Sequence, residues 1–243
     1  ASVSDSPQPA VLISGASRGI GAAAARQFAA AGHDLLLLAR SGPDLEALAV
    51  ELRALGRRVE TCCLDLADPA AIAPALEALL QRGLIPTVVI NNAGAAYTGP
   101  LAEMPLEQWQ WLLQLNLTSV MQVCQAVVPH LRRRGGGLII NVSSHAARNA
   151  FPDWGAYCVS KAALASFSRC LAEEERSHGI RVSTVTLGAV NTPLWDSATV
   201  HSSFDRRAML SAERVAETLL SLALQPSSQV VEDVTLMPAA GVL

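Results

Sequence analysis

A chain of 243 residues, 51% of them apolar and 16% charged, is long enough for one large α/β domain with a substantial core. Its formal net charge of −3 comes without a basic stripe, which argues against a nucleic-acid partner. Five cysteines (Cys62, Cys63, Cys124, Cys158, Cys170) form an odd set without Cys-x-x-Cys spacing, so neither structural disulfides nor a metal centre is expected, as for a reducing compartment. Ala1 to Pro9 is short and polar, and no apolar run reaches the ~18 residues of a membrane span. A cytoplasmic protein without membrane attachment is therefore expected.

In chain order, short apolar runs alternate with longer helical patterns. Ala10–Ser14, Asp34–Ala39, Val59–Leu64, Thr87–Asn91, Leu138–Val142, Val182–Leu187 and Asp233–Met237 read as strands. Several are apolar on both faces, as in a parallel sheet covered on each side. Helices are expected over Gly19–Ala31, Pro43–Leu55, Pro69–Arg82, Leu106–Arg133, Ala156–His178 and Ala212–Leu224. The basic cluster Arg132–Arg134 falls at a helix end, where it complements the helix dipole. The alternation implies an α/β fold: a doubly wound, seven-stranded, mostly parallel sheet (Rossmann type) with helices on both faces. Residues 1–243 read as one such domain. The stretch 191–210 lacks clear periodicity and follows a strand end, so it is expected to be a substrate loop.

Two constellations carry chemistry. The first is Ser14-Gly15-Ala16-Ser17-Arg18-Gly19-Ile20-Gly21, which joins the first strand to the first helix. Such a turn aims backbone N–H groups and a helix dipole at a pyrophosphate. The second strand ends in Ala39-Arg40 rather than in the acid that grips a ribose 2′-hydroxyl in NAD-binding domains. Arg18 and Arg40 together suit a 2′-phosphate, so the expected cofactor is NADP(H).

The second constellation is Tyr157, followed one helical turn later by Lys161, with Ser144 upstream. A free tyrosine ionises near pH ~10. A lysine on the same helix face favours phenolate and is expected to lower that value. A serine hydroxyl beside it suits the polarisation of a carbonyl oxygen.

Over essentially its whole length the chain resembles the short, single-domain branch of the short-chain dehydrogenase/reductase family. The glycine turn looks like that family's cofactor loop. Asp65, with Leu66 beside it, matches the acid after the third strand that contacts adenine. Asn91-Asn92-Ala93-Gly94 matches the Asn-Asn-Ala-Gly signature, and Asn116 the asparagine of the catalytic tetrad. Ser144, thirteen residues before Tyr157, has the family's serine spacing. Gly188-Ala189-Val190-Asn191-Thr192-Pro193 resembles the loop that holds the nicotinamide carboxamide through the Val190 backbone and the Thr192 side chain. Leu187 stands where a proline is usual.

The resemblance implies Asn116, Ser144, Tyr157 and Lys161 as catalytic residues. It implies cofactor contacts from Gly15, Ser17, Arg18, Gly19, Ile20, Gly21, Arg40, Asp65, Leu66, Asn92, Ala93, Gly94, Tyr157, Lys161, Gly188, Val190 and Thr192. Tyr157 is then the proton donor to a ketone or aldehyde reduced by NADPH, and Asn116 holds a water that links Lys161 to solvent. Ala95, Ala96, Trp154, Leu194 and Trp195 flank these motifs and suit an apolar substrate, with His145 at the border. A 3-oxoacyl-thioester reductase served by an acyl carrier protein is the alternative, docking on Arg148, Arg206 and Arg207. A non-catalytic NADP(H)-sensing protein is the alternative of another class. The apolar helices Leu106–Arg133 and Ala156–His178 suggest a homotetramer, or failing that a dimer.

Overall fold

The structure is a computed structural model, and it describes residues 8–242. Seven strands form one sheet: β1 (Ala10–Ser14), β2 (Asp34–Ala39), β3 (Val59–Cys63), β4 (Val88–Asn91), β5 (Gly137–Ser144), β6 (Ile180–Leu187) and β9 (Asp233–Leu236). Their order is β3-β2-β1-β4-β5-β6-β9, and every pairing is parallel. The sheet is thus wholly rather than mostly parallel.

Alternation along each strand builds two cores. Val11 and Ile13 of β1 point to one face, under α1 (Gly19–Ala30), α2 (Gly42–Arg53) and α7 (Ala212–Ala223). Ala10 and Leu12 point to the other, under α3 (Pro69–Leu80), α5 (Ser119–Arg133) and α6 (Gly155–Glu175). Burial on both faces is why these strands read as continuous apolar runs. The chain winds outward from β1 through β2 to β3, then returns to β4 on the other side. The crevice between the C-terminal ends of β1 and β4 is the switch point where such sheets hold ligands.

The expected helix Leu106–Arg133 is interrupted. It consists of α4 (Leu106–Leu113), a π turn over Gln114–Thr118, and α5. The wide turn carries Asn116, whose side chain is drawn inward to Ala95 and Ser160; single π turns often mark functional sites. By length and composition, this 28-residue run is also apolar enough to cross a membrane, contrary to the expectation from uninterrupted apolar stretches. Half of its most apolar window is buried inside the protein, against α3 and the sheet, which accounts for the composition.

The segment 191–210 is better organised than its sequence suggests. β7 (Val190–Asn191) pairs in parallel with β8 (Leu210–Ser211) and closes the segment at its base. Short 3₁₀ turns, Pro193–Asp196 and Arg206–Ala208, shape what lies between. The Arg206 guanidinium donates to Asn191 Oδ1 at 2.8 Å, Thr192 O at 3.0 Å and Asp196 Oδ1 at 2.6 Å, tying three points of the loop together. Its far side is held to the chain after β4: Thr199 Oγ1 donates to Ala96 O at 2.7 Å, and Thr98 N to Thr199 O at 2.9 Å.

Candidate active site

The glycine turn closes where β1 ends. Gly15 and Gly19 take φ +62° and +55°, conformations that other residues adopt only with strain. Gly21 is required for space rather than for φ, since a Cβ there would lie 2.1 Å from Gly15 O. Ser14 Oγ accepts from the backbone N–H of Asn92 at 3.0 Å and of Ala93 at 2.9 Å, and Asn92 Nδ2 donates to Ser14 O at 3.1 Å. The end of β1 is thereby fastened to the end of β4. Gly94 keeps a passage clear, because a Cβ there would come within 3.2 Å of Asn116 Oδ1 and 3.6 Å of Lys161 Nζ.

A second polar thread sets α6. Asn91 Nδ2 donates to Asn141 Oδ1 at 2.9 Å, and Asn141 Nδ2 to Ser168 Oγ at 2.9 Å, all buried. This links β4, β5 and α6, so the helix that carries Tyr157 and Lys161 has a fixed position over the strand that ends in Ser144. Ser144 Oγ accepts from Ala146 N at 3.1 Å, which leaves the hydroxyl proton free to donate. Trp154 packs edge-on against the Tyr157 ring, with centroids 5.7 Å apart.

These pieces surround a cavity of about 950 Å³. Gly15, Ser17, Arg18, Gly19, Ile20, Arg40, Leu66, Asn92, Ala93 and Gly94 line one part. Ser144, Tyr157, Lys161, Gly188, Val190 and Thr192 line the other. Ala95, Ala96, Trp154, Leu194, Trp195 and His145 stand in the same wall. Arg18 and Arg40 are exposed, and neither has an ion-pair or hydrogen-bond partner for its guanidinium among the described residues. Gly188 is pressed against the C-terminal segment; a Cβ there would meet Pro238 Cδ at 2.6 Å. That contact, with Gly188 N donating to Leu236 O at 2.9 Å, supports the loop despite Leu187 in place of proline.

Three expected site residues sit in particular surroundings. Asp65 is exposed, and its Oδ1 caps the following turn by accepting from Ala67 N at 2.9 Å; Leu64 and Leu66 on either side of it line the cavity. Gly21 is buried beneath the turn rather than on the wall. The Asn116 amide makes three bonds: Oδ1 accepts from Ala95 N at 2.8 Å, and Nδ2 donates to Ala95 O at 2.8 Å and Ser160 Oγ at 3.0 Å. Its side chain therefore positions the turn after β4, and Oδ1 keeps a second lone pair.

The expectation for the Tyr157 phenol is corrected in direction. Burial pushes it above its ordinary value, with the Ser144 hydroxyl pulling the other way. The Lys161 Nζ lies 5.8 Å from the ring centroid and donates to Val142 O at 3.2 Å, and burial pushes the ammonium itself down to about 8. Desolvation disfavours both phenolate and ammonium. Tyr157 consequently holds its proton at neutral pH, as a proton donor must.

Some partnerships carry no local pattern: Ser14, at the start of the glycine turn, and Ser160, beside Lys161, bond to segments far along the chain. Trp111 and Phe204 reach the wall from α4 and from the 191–210 segment. Ser41 and Asp44 also line the cavity beside Arg40, and their cap-like spacing at a helix start is a readable signal: Asp44 N donates to Ser41 Oγ at 3.4 Å.

A family model for short chain dehydrogenases matches residues 9–202. The chain is 31% identical to the sepiapterin reductase of Chlorobaculum tepidum, covering 95% of this chain and 96% of that one. Among solved structures, a metagenomic short-chain oxidoreductase in complex with NADP is 31% identical with a TM-score of 0.83, over 95% of this chain and 97% of that one. An alcohol dehydrogenase from Thermococcus sibiricus complexed with 5-hydroxy-NADP is 29% identical with a TM-score of 0.87, at the same coverages. The chain is an oxidoreductase that belongs to the short-chain dehydrogenase/reductase family.

Proposed function

We propose that this protein is an NADPH-dependent carbonyl reductase that converts a ketone or aldehyde to the alcohol, reversibly. The observation that carries the reading is the single cavity onto which Ser144, Tyr157 and Lys161 open beside the glycine turn. The residues present fit the cofactor: a glycine turn too tight for a Cβ at Gly21, and two arginines, Arg18 and Arg40, whose guanidinium groups have no partner among the described residues and suit a 2′-phosphate. Ser17, Arg18, Gly19 and Ile20 would hold the pyrophosphate side, Arg40 and Ser41 the 2′-phosphate, and Gly188, Val190 and Thr192 the nicotinamide. NADP-bound relatives of similar fold support this preference.

Bound NADPH supplies the hydride for the carbonyl carbon. The chain's own residues orient the substrate and move the proton. The Ser144 hydroxyl donates to the carbonyl oxygen and stabilises its developing charge. Tyr157 gives its phenolic proton to that oxygen and takes it back in the direction of alcohol oxidation. Lys161, in reach of the passage beside Gly94, binds the ribose and offsets the phenolate left after proton transfer. Trp154 and Trp195, with centroids 5.7 Å apart, wall off water on the substrate side. The 191–210 segment serves as the substrate loop.

The basic residues on which a carrier protein would dock are already paired: Arg148 with Asp233, Arg206 with Asp196 and Arg207 with Asp205. That favours a free small molecule over an acyl carrier protein. Exposed Leu106 on α4 and Val159 on α6 support pairing of these helices with a second copy, within a homotetramer.

The test is Tyr157→Phe, assayed as NADPH oxidation against an aryl ketone, an acetoacetyl thioester and a quinone. The wild type is expected to oxidise NADPH with at least one of them. The variant is expected to bind NADPH, seen as nicotinamide fluorescence, yet lose turnover by roughly a hundredfold or more, the usual worth of a general acid. Near wild-type turnover by the variant would overturn the scheme.

A further inference from the structure

The wall of the substrate side is apolar apart from a few hydrogen-bonding groups. Trp154, Trp195 and Phe204 form a continuous aromatic run, each neighbouring pair with centroids 5.7 Å apart. The hydroxyls of the 191–210 segment that reach this wall are already engaged: Ser197 Oγ lies 3.3 Å from Thr199 Oγ1, which donates to Ala96 O at 2.7 Å. Trp195 Nε1 donates to Val190 O at 2.8 Å. Against this background His145 is unusual. It directly follows Ser144, lines the cavity, and makes no side-chain hydrogen bond among the described residues.

Its two ring nitrogens differ. Nδ1 is sealed from solvent without a partner, whereas Nε2 is not sealed. A buried nitrogen lacking an acceptor is better left unprotonated, so the proton of the neutral ring belongs on Nε2. Burial also lowers the His145 pKa, which keeps the ring neutral. Phe151, with its centroid 5.3 Å from that of His145, packs against the ring and limits its rotation. The outcome is a fixed, uncommitted N–H donor on the residue next to Ser144, in a wall that otherwise suits hydrocarbon. Ser143 Oγ also lacks a partner, but it is sealed from solvent.

We infer that His145 is a specificity-determining residue whose Nε2–H donates to a second oxygen of the substrate, on the carbon adjacent to the reacting carbonyl. The substrate class is then a 1,2-dicarbonyl or α-hydroxy ketone with an apolar or aromatic body. This rests on the carbonyl-reductase reading and adds its substrate class. The reaction balances as a simple reduction: a hydride joins the carbonyl carbon, the Tyr157 proton joins its oxygen, NADPH is oxidised to NADP⁺, and the neighbouring oxygen is unchanged. A site with a donor for a substrate oxygen discriminates against the analogue that lacks it, because the donor is then left unpaired.

The experiment compares 1-phenylpropane-1,2-dione with propiophenone, which lacks the second oxygen, as NADPH-oxidation kcat/KM values. The dione is intrinsically more electrophilic, so the quantity read is the change in the dione-to-ketone ratio on mutation. His145→Phe removes the donor and keeps an aromatic ring against Phe151. It is expected to lower the ratio by about tenfold, or about 1.4 kcal/mol of discrimination. His145→Gln restores an N–H donor and is expected to recover part of the ratio. NADPH fluorescence checks that each variant still holds its cofactor; should His145→Phe fail that check, His145→Leu takes its place. A ratio that stays within about twofold of wild type in the donor-less variant overturns the role of His145. Wild-type protein that turns over neither compound, nor any ketone in the wider panel, overturns the reductase reading itself.

Discussion

Replacing Lys161 with methionine should abolish turnover with NADPH but make the unliganded protein more stable. Lys161 is 6% exposed, and among the described residues its Nζ donates to Val142 O alone, at 3.2 Å. Burial holds the ammonium at about 8 in the folded chain against an ordinary 10.5. At ~1.36 kcal/mol per pH unit, that difference amounts to roughly 3 kcal/mol against the charged folded form. The folded state binds this proton less tightly than the unfolded state does. The cost is therefore complete below about pH 8, and stability rises with pH between about 8 and 10.5, where the unfolded chain still holds the proton that the folded chain has released. Methionine fills similar space without a charge, and the lost bond to Val142 returns about 1 kcal/mol of the gain. The net expectation at pH 7 is a variant about 2 kcal/mol more stable than wild type, with the gap falling by about 2 kcal/mol at pH 9.5. Urea unfolding followed by tryptophan fluorescence at pH 7, 8.5 and 9.5 measures both numbers. A gap that does not change with pH, or a variant less stable at pH 7, would refute the claim that Lys161 is held at a desolvation cost. A residue that destabilises its own fold in this way is expected where function, not packing, dictates the side chain.

Two further outcomes test the cavity at its ends. Arg40→Asp should move cofactor preference toward NADH; charge-assisted hydrogen bonds of ~1.5–3 kcal/mol imply a loss for NADPH of roughly ten- to a hundredfold in kcat/KM. An unchanged preference in paired NADPH and NADH assays would remove Arg40 from the 2′-phosphate site. Arg206→Ala should loosen the 191–210 segment by releasing Asn191, Thr192 and Asp196 together. Faster proteolysis within that segment and a ketone KM raised by roughly fivefold are expected, with kcat changed less. An unaltered proteolysis rate would mean that β7, β8 and the Thr98–Thr199 contacts hold the segment without Arg206.

The order of strands and helices was legible because the central strands are buried on both faces and the helices that cover them each carry an apolar side. Both β1 and β2 begin and end where the apolar runs do. Gly21 announced a close approach of backbone to backbone, and the Tyr157–Lys161 spacing placed both side chains on one helix face. What local pattern could not express was partnership across the fold. Asn116 reads as a polar residue in a long apolar helix, and only the packed structure gives it Ala95 and Ser160 and opens a π turn around it. Asp65 reads as a ligand-binding acid, and only the folded turn shows that its Oδ1 also caps the chain at Ala67 N.

The same division explains the electrostatics. Sequence spacing alone determined that a lysine stands near a tyrosine; whether the ammonium lowers the phenol's pKa depends on solvent and on competing acceptors, which spacing does not contain. The tertiary structure buried both groups, turned Nζ toward Val142 O, and left desolvation as the larger effect on both. Periodicity and motif spacing determined which residues meet, because both follow from the geometry of single elements. Burial decided what those residues are once they meet, because dielectric and hydrogen-bond partners belong to the assembled fold.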